Sequence, residues 1–223
     1  VSARSGTPGT ARADASVSAA GASGRTTRFQ PGPPAAEAPR RLLTARQAAL
    51  VDRIIEAAAD DAREVGYDGL TVRSAARRAG VAPATAYTYF ASKDHLLAEV
   101  LWRRVRALPP VEAGPRGSAR TRVVAALTDL ALFMADDPEV AAAGTTALLG
   151  NGPEVRELRT RIGTEMHRRV EAALGDDADP AAVRALDLAY FGAMLAAGMG
   201  HLRFEDLPGV LEEVVDLVLG RTP

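Results

Sequence analysis

From Thr44 to the end of the chain, apolar residues keep returning at intervals of three and four, a spacing that leaves little room for anything but helices. Val51, Ile54, Ile55, Ala58, Ala62 and Val65 fall on one face of a single helix. Thr44 and Gln47 form a capping box and Gly66 supplies the stop, so the first helix is predicted over about 45–65. A short second helix starts at Thr71 as N-cap, carries Val72, Ala75, Ala76 and Ala79 on one face, and closes at Gly80. Pro83 takes the first position of a third helix, where its missing N–H costs nothing. Ser92 caps a fourth, which runs to about Ala107 before Pro109 and Pro110 forbid continuation. Beyond the linker PPVEAGPRGS, helices are predicted over about 119–135, 138–149, 153–174, 180–203 and 207–220, with no alternating strand pattern. The fold class is all-α.

Composition narrows the chemistry. The 223 residues are 47% apolar and include no cysteine, enough chain for one large or two small domains but none for disulfide scaffolds, thiolate metal sites or cysteine nucleophiles. His95, His167 and His201 stand far apart, GTTALLGNG at 144–152 lacks the Gly-Lys-Ser/Thr of a phosphate loop, and DDAD at 176–179 lacks the glycine and closing glutamate of a calcium loop. No enzyme, metal site or cofactor is expected. The longest uncharged run worth testing as a membrane span, Leu188 to Leu202, falls short of the roughly 18 residues a bilayer needs, so a buried helix is expected there. The opening VSARSGTPGT has no continuous apolar segment, so a cytoplasmic protein is expected.

Charge is lopsided. Residues 1–107 carry 16 basic and 10 acidic side chains and residues 108–223 carry 11 and 18, so only the first half is suited to a polyanion. Residues 1–43, rich in Ser, Ala, Gly, Thr and Pro, cannot bury enough surface to offset ordering entropy and are expected to form a disordered arm. Its Arg4, Arg12, Arg25, Arg28, Arg40 and Arg41 fit either a solvated tail or a DNA-touching arm.

The predicted second and third helices meet through Ala79-Gly80-Val81, the short glycine turn of a helix-turn-helix, whose second helix enters the DNA major groove. The third helix is about seven residues long yet carries Thr85, Tyr87, Thr88 and Tyr89, hydroxyls for which phosphate oxygens are natural acceptors. Lys93 sits in the first turn of the fourth helix, where the dipole disfavours a cation, which points either to a nearby anion or to a side chain reaching into solvent.

The stretch GYDGLTVRSAARRAGVAPATAYTYFASKDHLL, residues 66–97, resembles the N-terminal domain of the tetracycline-repressor (TetR) family of transcriptional regulators. The likeness covers about residues 46–100 and rests on Gly66-Tyr67, Thr71-Val72, Ala79-Gly80-Val81, Tyr87, Tyr89-Phe90 and Ser92-Lys93. It implies a three-helix DNA-binding domain at 44–107, including the fourth, connecting helix, and a helical ligand-binding and dimerisation domain at 108–223. By resemblance, Thr71, Thr85, Tyr87, Tyr89 and Lys93 grip the phosphate backbone, while Arg73, Pro83, Ala84 and Thr88 face base edges. Arg73 can donate twice to guanine O6 and N7, although a phosphate contact or a surface ion pair suits it as well. Phe90 is read as core, and Arg77 and Arg78 as a solvated or backbone-facing pair. Where the family has large aliphatics, this chain has Ala75 and Ala86, and Ala82 replaces the serine cap before the third helix, a loss of ~1 kcal/mol.

In the acidic half, Gly192, Ala196 and Gly200 stand four apart, a smooth ridge that suits close packing by another helix, within the protomer or from a second copy. Leu207, Leu211, Val214 and Val218 form an apolar stripe on the next segment, and together the two resemble the family's dimeric four-helix interface. The resemblance implies a homodimer on a palindromic operator and a small-molecule effector that controls repression. Candidate effector-pocket residues are Leu130, Phe133, Met134, Met166, Tyr190, Phe191 and Met194, each of which also suits plain core. The competing function is a DNA-binding protein of the same fold without small-molecule control, acting as an architectural or partner-recruiting factor.

Overall fold

A computed structural model describes residues 44–111, 117–175 and 178–220; the predicted arm at 1–43 lies outside them. Among the described residues there is no strand, and nine α-helices carry the fold. They are α1 Ala45–Gly69, α2 Val72–Arg78, α3 Pro83–Tyr89, α4 Lys93–Ala107, α5 Ala119–Ala135, α6 Pro138–Ala147, α7 Pro153–Leu174, α8 Pro180–Gly198 and α9 Leu207–Leu219, with a 3-10 turn at Phe204–Asp206 before the last.

Local chemistry sets these boundaries. The Thr44–Gln47 box is present, the Gln47 N–H donating to the Thr44 hydroxyl at 3.3 Å and the Thr44 N–H to Gln47 Oε1 at 2.9 Å. Regular helix in α1 ends at Gly66, whose φ of 66° and ψ of −172° break it, and Tyr67–Gly69 form a turn beyond. Thr71 and Ser74 cap α2 reciprocally, and Gly80 takes φ 67° in the turn. Ala82 gives α3 no side-chain cap; Ser92 caps α4 through the His95 N–H.

The apolar faces build two cores. The first gathers Val51, Ile54, Ile55, Ala58 and Ala62 of α1 with Val72, Ala75 and Ala76 of α2, Ala86 of α3, Phe90, and Leu96, Leu97 and Val100 of α4. Val140, Ala143 and Ala147 of α6 belong to this core too, through the packing of α6 on α1 and α4. The second core takes Leu101 and Val105 from the later part of α4 and joins them to α5, α7, α8 and α9. Both cores therefore share α4 and α6.

Charged side chains tie the same elements. Asp137, ahead of α6, accepts from Arg63 Nε at 3.0 Å and Nη2 at 2.7 Å and from Arg104 Nη2 at 2.5 Å, joining α1, α4 and α6 at one carboxylate oxygen. Burial pushes the Asp137 pKa up, but the two arginines outweigh it and hold the group below its ordinary value. Arg169 of α7 is buried and bonded through each of its three nitrogens: Nε donates to Glu165 Oε1 at 3.0 Å, and Nη1 and Nη2 to the carbonyls of Pro109 and Leu108 at 2.9 and 3.1 Å. It pins the chain leaving α4.

Two expectations are corrected in α8. The helix ends at Gly198, not near 203, because Gly200 takes φ 78° in the following turn, with the His201 N–H bonded back to the Ala196 carbonyl. Gly200 thus ends the ridge instead of extending it. Nor is the uncharged run uniformly buried: Tyr190, Met194 and Ala197 are, while Leu188, Phe191 and Met199 are exposed. At 19 residues α8 reaches the length of a membrane span, but its inner side packs on α6, α7 and α9. On that side, a Cβ on Gly198 would lie 2.9 Å from Thr145, so this glycine permits the approach of α8 to α6.

Candidate nucleic-acid interface

The two short helices that carry the motif have no room for a core of their own, and α1 supplies it. Ala75 and Ala86, small where larger aliphatics were expected, are fully buried, which brings α2 and α3 close to α1. Phe90, buried as expected, meets the His95 ring edge-on with centroids 5.5 Å apart. Burial holds the His95 pKa below its usual value. Its ring Nδ1 lies 3.2 Å from the Ala91 N–H, which it accepts when neutral.

On this base the predicted contact residues divide into two groups. Arg73, Ala84, Tyr87 and Thr88 are exposed, Tyr87 to 51%, and Arg73 makes no hydrogen bond or ion pair among the described residues. Pro83, Thr85, Tyr89 and Lys93 are half-buried. Thr71 is exposed, but its hydroxyl accepts the Ser74 N–H at 2.9 Å. Thr88 donates back to the Ala84 carbonyl at 3.2 Å. Both hydroxyls therefore have local work, and neither needs a phosphate to explain its place.

Lys93 also has a partner that the spacing did not reveal. Its Nζ donates to the Tyr67 carbonyl at 3.0 Å and stands 3.9 Å from the centre of the Tyr67 ring. The Tyr67 hydroxyl in turn donates to Asp94 Oδ1 at 2.6 Å, and that bond together with burial pushes its pKa up to about 12. The turn after Gly66 is thereby clamped to the start of α4. A cation at this helix start is stabilised by a carbonyl and a ring face, so the dipole argument for a bound anion loses its force, although an ammonium has donors left for one.

Arg77 and Arg78 do not act as a pair. Arg78 reaches across to α1, where Nε donates to Asp61 at 2.5 Å and Nη1 to Glu64 at 2.9 Å, and these bonds, Glu64 first, raise its pKa. Arg77 is exposed and makes no ion pair among the described residues. Asp61 and Glu64, three apart on α1, were the signal for this brace: a buried acid on an otherwise apolar face needs a cation opposite it.

Away from this surface, Leu130, Met134, Met166, Tyr190 and Met194 lie buried together in the second core, and Phe133 is half-buried. Phe191 is 42% exposed, yet its ring lies edge-on to Tyr190 at 5.8 Å and a Cβ on Gly163 of α7 would stand 3.8 Å from it.

The model of the bacterial regulatory proteins of the tetR family matches residues 54–100, from the middle of α1 into α4. An HTH-type transcriptional regulator of Mycobacterium tuberculosis is 48% identical over 176 residues, 78% of this chain and 82% of its own length. The HTH-type transcriptional repressor KstR of Rhodococcus jostii is 28% identical over 174 residues, 75% of this chain and 82% of its own length. The crystal structure of a TetR transcriptional regulator from Rhodococcus sp. RHA1 superposes with a TM-score of 0.66 at 23% identity, over 81% of this chain and 100% of that one. The FadR regulator of Bacillus subtilis, solved with stearoyl-CoA, gives 0.54 at 18% identity, over 77% of this chain and 99% of its own. Identity near one half across most of a regulator's length, together with a helix-turn-helix whose outer face is exposed, places this chain in the tetR family of DNA-binding transcriptional regulators.

Proposed function

We propose that this regulator is a ligand-responsive repressor that binds a palindromic operator as a homodimer. The stripe Leu207, Leu211, Val214 and Val218 expected at the interface instead belongs to or packs against the protomer's own second core, and the observation that carries the reading is the set of other large apolar side chains left exposed on the last two long helices. Leu188 is 73% exposed on α8 and Leu217 85% exposed on α9, with Phe191 of α8 and Met199, just past its end, exposed as well. Large apolar side chains left exposed on two helices that pack against each other mark an interface, and a second copy on a two-fold axis covers them with the same residues. A Cβ on Gly192 meets nothing within 4 Å inside the protomer, which leaves room for a partner helix to come close.

Two reading heads held by such a dimer can enter successive major-groove faces about 34–36 Å apart. In this reading Tyr87, Tyr89, Thr85, Thr71 and Lys93 lie along the phosphates, and Arg73, Pro83, Ala84 and Thr88 along the base edges. The reading head corresponds to residues 44–107 and the regulatory and dimerisation part to 108–223. An effector in the second core, among Leu130, Phe133, Met134, Met166, Tyr190 and Met194, acts on the head through α4, which runs through both cores. KstR's description as a repressor and the stearoyl-CoA bound to FadR support control of this kind.

The test is a gel shift of the chain's own promoter fragment with stearoyl-CoA and a lipophilic library as competitors, alongside sedimentation of wild type and Leu217→Glu. The reading expects a dimer that binds as two half-sites, a Leu217→Glu chain that is monomeric and weakened on DNA, and at least one compound that releases the complex. A monomeric wild type refutes the dimer. Retention of DNA under every compound favours the rival without ligand control.

A further inference from the structure

The second core is almost wholly apolar, and its few polar groups show which chemistry it lacks. Trp102 of α4 packs against it, with the Arg106 guanidinium 5.9 Å from the ring centre. The indole Nε1 is shut away from solvent and has no hydrogen-bond partner. An indole N–H can only donate. An unsatisfied buried donor destabilises the state that holds it and rewards any molecule that brings an acceptor.

Charge is handled differently. Arg169, the one fully buried cation among the described residues, spends Nε, Nη1 and Nη2 on Glu165 and on the carbonyls of Pro109 and Leu108. Arg122 donates to the carbonyls of Ala173, Leu174 and Gly117. Arg120 is held by Asp216 and Glu212 of α9. A ligand carboxylate buried here would find no free buried cation among the described residues to offset its lost hydration, since Arg106, which makes no ion pair, lies exposed beside the Trp102 ring. The core offers the Trp102 N–H without an acceptor and, among the described residues, no uncommitted buried charge.

We infer that the effector's buried part is an uncharged, largely apolar body bearing a carbonyl oxygen, and that Trp102 Nε1 donates to that oxygen. The inference rests on the effector site proposed above and names what that site selects. Trp102 lies one residue beyond Leu101 and three before Val105, the α4 residues that belong to the second core, while Leu96, Leu97 and Val100 of the same helix belong to the first. An acceptor bound there engages the helix that carries the reading head.

The experiment uses three probes of nearly one shape. Butyrophenone has a carbonyl where butylbenzene has a methylene, and 4-phenylbutyrate carries a carboxylate. Calorimetric titration of the full chain should give butyrophenone an affinity about five- to tenfold above butylbenzene, the worth of one net hydrogen bond, with 4-phenylbutyrate the weakest. Trp102→Phe keeps the ring's bulk and removes the N–H, so the ketone should fall to the level of the hydrocarbon while butylbenzene is unchanged. As Trp102 is the single tryptophan, its emission in wild type should shift with the ketone and not with the hydrocarbon, a readout that needs no variant. Equal affinities in wild type, a preference for the acid, no binding by any probe, or a ketone preference that survives in Trp102→Phe would each overturn the inference. A ketone that binds through Trp102 and leaves the operator complex intact would spare the inference and refute ligand control.

Discussion

Replacing Asp137 with Asn tests the joint between the reading head and the rest of the molecule. One oxygen of Asp137 accepts three charge-assisted hydrogen bonds, two from Arg63 of α1 and one from Arg104 of α4. Hydrogen bonds to charged groups contribute about 1.5–3 kcal/mol when shielded. The Asp137 side chain is 13% and that of Arg104 20% exposed, so that contact keeps most of this value, whereas Arg63 is 43% exposed and counts as a surface pair of roughly 0.5 kcal/mol. Asn keeps the shape and one acceptor but loses the charge, so the substitution should cost about 2 kcal/mol and lower Tm by about 4–8 °C. Calorimetry across pH supplies the control. Because the folded carboxylate titrates below its ordinary value of 3.8, its stabilisation is complete above that value and lost as pH falls through the lowered one. The gap between wild type and Asp137→Asn should therefore be full at pH 7 and close in acid. A difference under about 0.5 kcal/mol at pH 7, or one that persists unchanged in acid, would refute the ion-paired joint.

Three further substitutions probe the head. Gly80→Ala meets no atom within 4 Å, so its cost is the left-handed φ of 67° alone, about 1 kcal/mol in urea unfolding; a neutral result would mean the turn adopts another conformation. Lys93→Ala should weaken DNA binding at all sequences and flatten the slope of log K against log salt by about 1, and an unchanged slope removes Lys93 from the phosphate contacts. His95 titrates below its usual 6.5, so its contribution is complete above that pH and lost as pH falls through the lowered value. His95→Phe should accordingly show a flatter decline of Tm on acidification than wild type; parallel curves would contradict the buried neutral ring.

How far the sequence could be read depended on the range of the interaction. Helix α1 was legible because its apolar spacing, the Thr44–Gln47 box and Gly66 all act within a few residues. The same holds for α5 and α7, whose predicted limits match Ala119–Ala135 and Pro153–Leu174. The end of α8 was misplaced because Gly200 serves equally well as a packing ridge or as a left-handed stop, and only the backbone distinguishes them. Contacts between distant segments left no periodic trace. Asp137 meets Arg63 from 74 residues away, and Lys93 finds the Tyr67 carbonyl across 26, which removed the reason first offered for its position. Among the candidate contacts, Tyr87 is exposed as expected, whereas the exposed hydroxyls of Thr71 and Thr88 are engaged in local bonds that any short capped helix makes.

The central claim is that the exposed side of α2 and α3 reads a duplex. It is tested most directly by titrating the purified chain onto its own promoter fragment and onto a shuffled duplex, with and without Arg73→Ala, at several salt concentrations. The account predicts a clear preference for the promoter, and a loss of about 1–3 kcal/mol on that fragment alone when Arg73 is removed, if the guanidinium bonds guanine. Equal affinity for both duplexes, or no retardation of either at low salt, would contradict it.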